Sequence, residues 1–302
     1  MTRNAQALGG ASARWVETLP ALVAGLSRDW SLTLGPTLHG GSSSYVAEAQ
    51  TADGEAAVLK VAMADYEPIA GEVATLELAQ GRGYARLLAA DLSRGALLTE
   101  RLGLALGRHG YGLERRMQAL GQALRAAWRP LAHPPTALMS GAEKAAWHVG
   151  FAPQTWEATG RPCSERLLDL VLAFAQRRGG AYAAEAAMLL HGDPHEANAL
   201  ADPAAPGGFR FVDPDGLYAE PAFDVGALLR DWTDELLTAD PLALGRSWCE
   251  QLASLTGVPV EAAWEWAVIE RTSTGLLLMK LGAEAEGRRT LAVAEAWAKG
   301  SA

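Results

Sequence analysis

Cysteine is nearly missing from this chain: Cys163 and Cys249 are the two present in 302 residues. Two thiols cannot build a disulfide framework or a cysteine-rich zinc site. A reducing, cytoplasmic setting is the expectation that follows. Long apolar runs are also missing. None reaches the roughly 20 uncharged residues that cross a bilayer, and the opening MTRNAQALGGASARWVETLP has no apolar stretch of signal-peptide type. No membrane partner is expected. Positive charge is in deficit, with 26 Lys and Arg against 35 Asp and Glu and a net charge of −9. That argues against nucleic acid, whose phosphates require a basic face, and suits a cationic partner. Internal repeats and low-complexity tracts are absent as well. What remains is a globular composition, 49% hydrophobic and 20% charged, long enough for a substantial core.

Periodicity divides the chain near Gly103. Residues 12–30 place Trp15, Leu19, Leu22, Val23 and Leu26 on one helical face. From Leu32 the pattern becomes short β-like runs, LTLGPTLHGG, SYVAEAQ and AAVLKVA, with Asp53-Gly54 as a hairpin turn. A helical pattern spans about Glu67 to Gln80, and two more strand-like runs follow, ARLLAAD and ALLTERL. Residues 32–102 thus read as five antiparallel strands with a helix inserted after the third. From about residue 111 the chain is mainly helical, broken by the polar segment 191–221. The expected fold is α+β and protein-kinase-like. Residues 1–102 would form a nucleotide-binding lobe, and residues 103–302 a helical lobe with the catalytic loop and acceptor site.

A kinase must hold ATP phosphates and Mg²⁺ and aim the attacking hydroxyl. Each task has a candidate. The turn HGGSSS, with Ser42, Ser43 and Ser44, lets backbone approach phosphates closely, though a plain flexible hairpin would look the same. Lys60 interrupts a hydrophobic strand, where an unpartnered charge is costly. A phosphate contact and a Glu on the next helix would account for it; Glu72, about one turn in, is the expected partner ahead of Glu67 and Glu77. In LLHGDPHEANAL, Asp193 ends an apolar run and Asn198 follows five residues later; Asp213 then ends FRFV. Asp193 would orient the acceptor hydroxyl, while Asn198 and Asp213 would offer the hard oxygen ligands Mg²⁺ prefers. Simple turn formation explains each residue singly but not their order along the chain. His191 reads as structural and His195 as solvent-exposed. Asp224 reads as a cap or loop anchor. A metal site built from His191, Asp193 and His195 lacks a further ligand motif.

With these residues in place, LLHGDPHEANAL…FRFVDPDG…PAFDVGALLRD resembles the aminoglycoside phosphotransferases. WVETLPALVAGLSRDWSLTLG and GYARLLAADLSRGALLTERL are similar to the streptomycin 6-phosphotransferase and hydroxyurea phosphotransferase branch. The likeness covers about residues 15–235. It implies that Leu98 to Leu102 form a hinge, where backbone groups of Glu100 and Leu102 bind adenine. The sequence departs from the family pattern at Pro194 and at Glu196-Ala197, beside the acceptor, which puts the substrate in question and leaves the reaction intact.

The expected activity is ATP- and Mg²⁺-dependent O-phosphotransfer to a small hydroxylated molecule, with streptomycin-like aminoglycosides leading. The enzyme is expected as a monomer or weak dimer. Candidate contacts to a cationic acceptor are Asp215, Glu220, Asp231, Asp234 and Glu235, with Glu261, Glu265 and Glu270 on a later helix. A solvated helix face is the plain alternative for each. Trp232, Trp264 and Trp266 could stack on a ligand or fill the core. The rival functions are a kinase for a sugar, amino alcohol or hydroxyurea-like compound, and an inactive nucleotide-binding module.

Overall fold

The computed structural model describes residues 10–38, 44–63 and 69–300. Helix α1 (Gly10–Asp29) leads into β1 (Thr33–Thr37), β2 (Ser44–Gln50) and β3 (Ala56–Ala62). Helix α2 (Ala70–Ala79) follows, then β4 (Leu87–Asp91) and β5 (Ala96–Glu100). The strands pair antiparallel in the order β1-β2-β3-β5-β4, with the helix inserted after the third as its sequence position implies. Leu19, Val23 and Leu26 of α1 pack on Leu59, Val61 and Leu98, so α1 covers one face of the sheet. The apolar stripe of α1 survives Pro20, which sits inside the helix.

The helical part comprises α3 (Leu113–Ala127), α4 (Gly141–Ala158), α5 (Glu165–Gly180), α6 (Ala222–Leu228), α7 (Thr233–Leu236), α8 (Pro241–Thr256), α9 (Val260–Lys280) and α10 (Glu284–Lys299). Local chemistry sets several of its ends. Ser140 and Glu143 form a reciprocal capping box at the start of α4, and Asp240 caps α8 ahead of Pro241. Helix α9 runs through the middle and packs against α4, α5, α6, α8 and α10. That position explains why it lacks an amphipathic pattern: most of its residues are buried. Trp264 and Trp266 are 1% exposed and Trp232 is 7% exposed, so all three are core and none is a platform for a ligand.

Short strands build the site between these parts. β6 (Arg129–Pro130), β7 (Met139–Ser140), β8 (Met188–Leu190) and β11 (Leu217–Ala219) form one small sheet in the order β6-β8-β11-β7. β9 (Ala199–Ala201) and β10 (Phe209–Phe211) form an antiparallel hairpin, as ADPAAPGG implies. This hairpin is stitched to the chain leaving β5. Gly103 N donates to Ala201 O and Ala201 N to Leu104 O, each at 2.9 Å. Ala85 N donates to Phe211 O at 2.8 Å, and Phe211 N to Gly83 O at 2.9 Å. Among the described residues no helix is long and apolar enough to cross a membrane.

Candidate active site

Lys60 on β3 is 8% exposed and Glu72 on α2 is 6% exposed. Lys60 Nζ lies 2.8 Å from Glu72 Oε2 and also pairs with Asp213 Oδ1. Breaking a buried pair of this kind leaves an uncompensated charge, so each partner constrains the other. One ammonium therefore joins the sheet, the inserted helix and the segment after β10. Ser44 is buried at the start of β2, whereas Ser42 and Ser43 lie outside the described residues. Beyond β5, Leu102 is 7% exposed. The Glu100 carboxylate is committed to Arg210 Nη1 at 2.6 Å and to Arg86 N at 2.7 Å, and its N–H donates to Arg86 O at 2.9 Å, which leaves its backbone carbonyl for a ligand.

The loop from His191 to Asn198 is held from below. His191 is fully buried, and burial lowers its imidazole to about 3, so the ring is neutral. Its Nε2 donates to Val212 O at 2.9 Å, and its Nδ1 accepts from Asp193 N at 3.0 Å. One tautomer satisfies both bonds and ties the loop to the segment carrying Asp213. Asp224, at the start of α6, accepts from His191 N at 3.0 Å, Gly192 N at 2.8 Å and Trp128 Nε1 at 2.8 Å. Burial nevertheless pushes its carboxyl up to about 6 against those three donors. The sequence expectation of a loop anchor thus has its geometry. Gly192 has φ +89°, and a Cβ there would meet Asp215 Cβ at 2.7 Å. Replacing Asp224 with alanine orphans three donors, two of them fully buried backbone N–H groups. Each unsatisfied group costs about 1–3 kcal/mol, so unfolding by calorimetry is expected several degrees lower; an unchanged transition temperature would remove the anchor role.

Asn198 is 7% exposed and gives its amide Nδ2 to Asp193 O at 3.1 Å. Its backbone O accepts from Val212 N at 3.0 Å, placing it beside the Asp213 segment. Asp213 itself has φ +62°, a left-handed backbone rare outside glycine and common at functional sites. Its side chain is 48% exposed. Among the described residues no hydrogen bond takes Asn198 Oδ1 or the second Asp213 oxygen, and no three His, Cys, Asp or Glu side chains gather as a metal cage. Two hard protein oxygens with room for phosphate and water are the donor set Mg²⁺ uses.

Across the loop, Asp193 Oδ1 pairs with Arg230 Nη2, and Asp193 Oδ2 lies 3.4 Å from His195 Nε2. His195 is half-buried against Asp193, which corrects the expectation of solvent exposure: the short PHE turn folds it back over the loop. Asp215 keeps a face open to solvent and lines a small cavity of about 120 Å³ with Met139, Lys144 and Leu217. The protein mass around it pushes its carboxyl up to about 6, Lys144 opposing and Glu270 reinforcing. Burial also raises Asp231, with Arg230 opposing.

The other acidic candidates are engaged by the chain's own cations. Glu220 lies 3.3 Å from Arg178 Nη1 and accepts from Trp266 Nε1 at 2.8 Å. Asp234 pairs with Arg289, and Glu235 lies 2.9 Å from Arg116 Nη2. Glu261 pairs with Arg246 and Glu265 with Arg177 and Arg178. Glu196, one of the departures from the family pattern, accepts from Arg116 Nη1 at 2.8 Å and also from Trp232 Nε1, so it braces the loop on α3 and α7. Sequence reasoning missed Arg230, Lys144 and His148. A signal existed for their neighbour Glu270: a charge inside the apolar run WAVIERTSTG demands partners.

Comparisons with known proteins bear on the family and the fold. A family model described as aminoglycoside/hydroxyurea antibiotic resistance kinase matches residues 29–274. A hydroxyurea phosphotransferase of Kitasatospora aureofaciens is 37% identical over 227 residues, a match spanning 72% of this chain and 63% of that protein. The chain thus spans a little under two thirds of that relative's length. A streptomycin 6-kinase of Streptomyces glaucescens is 29% identical over 265 residues, covering 87% of this chain and 83% of that protein. Among solved structures, an aminoglycoside phosphotransferase in ternary complex with AMP-PNP and hygromycin B shares the fold. Its TM-score is 0.58 at 15% identity, over 92% of this chain and 98% of that one.

Proposed function

The chain belongs to the aminoglycoside/hydroxyurea antibiotic resistance kinase family, and on that premise we propose that it moves the γ-phosphoryl group of ATP to a hydroxyl of a small molecule. The observation that carries this reading is the contact of Lys60 with both Glu72 and Asp213, which joins a phosphate-binding lysine to a metal-type carboxylate. In this reading residues 1–102 bind nucleotide, with adenine against the backbone of Glu100 and Leu102 and phosphates near Ser44 and Lys60. Residues 103–302 carry the catalytic loop and the acceptor. Asn198 and Asp213 would hold Mg²⁺, which supplies positive charge to the β- and γ-phosphates when bound.

Lys60 neutralises charge on the α- and β-phosphates, and Glu72 keeps the ammonium from swinging away. Asp193 accepts a hydrogen bond from the acceptor hydroxyl and so points its oxygen at the γ-phosphorus. A bond forms between that oxygen and phosphorus as the bond to the bridging oxygen breaks. The electron pair leaves with ADP, and the hydroxyl proton passes to Asp193. Catalysis is mostly positioning and charge stabilisation, as this transfer requires.

The leading acceptor class is a cationic aminoglycoside, in keeping with the streptomycin 6-kinase likeness. A second reading, a small neutral acceptor of the hydroxyurea type, draws on the pairing of Glu220, Asp234 and Glu235 with Arg178, Arg289 and Arg116. Carboxylates already paired attract a cation less. ADP release across a panel of both classes, each at low and high salt, separates them. An aminoglycoside KM is expected to rise severalfold with salt, since exposed charge pairs are screened, and the ATP KM much less. A flat response with turnover of the neutral compound favours the second reading. No acceptor-dependent ADP release in either class would sink the phosphotransferase reading.

A further inference from the structure

The aspartate facing the acceptor is gripped by a side chain that its sequence neighbourhood does not announce. Arg230, just past α6, pairs Nη2 with Asp193 Oδ1 and places Nη1 3.6 Å from Glu270 Oε2 on α9. Glu270 is 4% exposed and is held on its other oxygen by His148 Nε2 at 2.8 Å. His148 on α4 is 1% exposed, with Nδ1 2.9 Å from Ser273 Oγ. A continuous polar run therefore leads from Ser273 through His148, Glu270 and Arg230 to Asp193. It links α9, α4 and the turn after α6, and its inner members are sealed from solvent. Burial alone would raise the Glu270 carboxyl, but Lys144, His148 and Arg230 outweigh it and hold it down at about 2. Glu270 is thus an anion fixed in the core, facing a guanidinium that reaches the cleft.

We propose that Arg230 is a positioning residue for phosphoryl transfer: it holds one oxygen of Asp193 and turns the other toward the acceptor hydroxyl, with Glu270 fixing the guanidinium from behind. The inference rests on the phosphotransferase reading above. Arginine suits the task because its planar fork can span two carboxylates at once and keeps its charge at any working pH. A lysine would offer one point charge and could not hold both ends. Asp193 Oδ2, the oxygen left over, is the one near His195. The same guanidinium balances the concentration of acid formed by Asp193, Asp231 and Glu270. Without it, like charges would push Asp193 out of line.

The test compares Arg230→Ala, Arg230→Lys and Glu270→Gln with the unaltered enzyme. ADP release is measured with a turned-over acceptor and with water alone, alongside thermal unfolding. Arg230→Ala is expected to lower kcat by about 10²-fold at unchanged ATP KM, the scale of a misplaced catalytic group. Free guanidinium ion is expected to restore at least about tenfold of that loss, because it can occupy the vacated place between the two carboxylates. Arg230→Lys recovers little. Glu270→Gln lowers kcat less, and adding it to Arg230→Ala costs almost nothing more, since the two residues act as one unit. A purely structural role would lower the unfolding temperature and show no response to guanidinium, and that result overturns the proposal. So does an Arg230→Ala variant that keeps full kcat. If Arg230→Ala does not fold, Glu270→Gln decides: an unchanged kcat there overturns the proposal, and a fall at unchanged ATP KM supports it. An unaltered enzyme that releases no ADP with any acceptor or with water overturns the phosphotransferase reading itself. An active enzyme with an indifferent Arg230 overturns this inference alone.

Discussion

Replacing Asp193 with alanine leaves an enzyme that binds ATP as before and turns over about 10³-fold more slowly, near the middle of the range for loss of a positioned acid–base group. Binding is spared because the nucleotide contacts assigned here, Lys60, Glu72, Asn198 and Asp213, do not use the Asp193 side chain. Its links to them run through the backbone, from Asp193 O to Asn198 Nδ2 and from Asp193 N to His191 Nδ1. Alanine keeps both of those groups. Chemistry suffers because the nearby carboxylates among the described residues are held elsewhere. Glu270 is buried behind Arg230, and Asp215 lies across the loop at Gly192. Nucleotide titration and steady-state ADP release on the same preparation check both halves. Full turnover in the variant removes Asp193 from the mechanism, and loss of nucleotide binding shows that the loop has collapsed.

Asp213→Asn is expected to weaken nucleotide binding at least about tenfold in the presence of Mg²⁺ and to change it little in chelator, since it removes one anionic ligand from a hard-cation site. The substitution keeps the shape of the side chain and tolerates the left-handed backbone at φ +62°, which asparagine adopts readily. Any effect is therefore one of charge. Lys60 loses one of its anionic partners but retains Glu72 at 2.8 Å, so it stays in place. Asn198→Ala is expected to act in the same direction and less strongly, because it removes a neutral oxygen. Titrations with and without metal in both variants decide the matter. Nucleotide affinity indifferent to Mg²⁺ and to both changes would falsify the two-ligand assignment.

Local pattern made much of this protein legible. The alternation in SYVAEAQ and AAVLKVA fixes strands whichever way the chain later folds, because side chains alternate faces within any strand. A lysine inside AAVLKVA, an Asp ending LLHGD and an Asp ending FRFVD each conflict with their apolar surroundings, and such conflicts mark functional positions. The acidic acceptor candidates Asp215, Glu220, Asp231, Asp234 and Glu235 offered no such conflict. They sit in polar segments where a charge needs no explanation, so sequence could not say which were engaged.

The chain's own residue order determined the five-stranded sheet with its inserted helix, the helical region beyond it, and the order of Lys60, Glu72, Asp193, Asn198 and Asp213. Those features depend on periodicity and on neighbours a few residues apart. Tertiary structure alone decided that Arg178, Arg289 and Arg116 take up Glu220, Asp234 and Glu235, that Trp264 and Trp266 are core, and that Arg230 reaches both Asp193 and Glu270. Arg116 and Glu235 are 119 positions apart, and His148 and Glu270 are 122 apart. Whether such charges meet depends on which faces of α3, α4, α6 and α9 pack together. That is set by the burial of whole helices, a sum over many side chains, and no single stretch of sequence carries it.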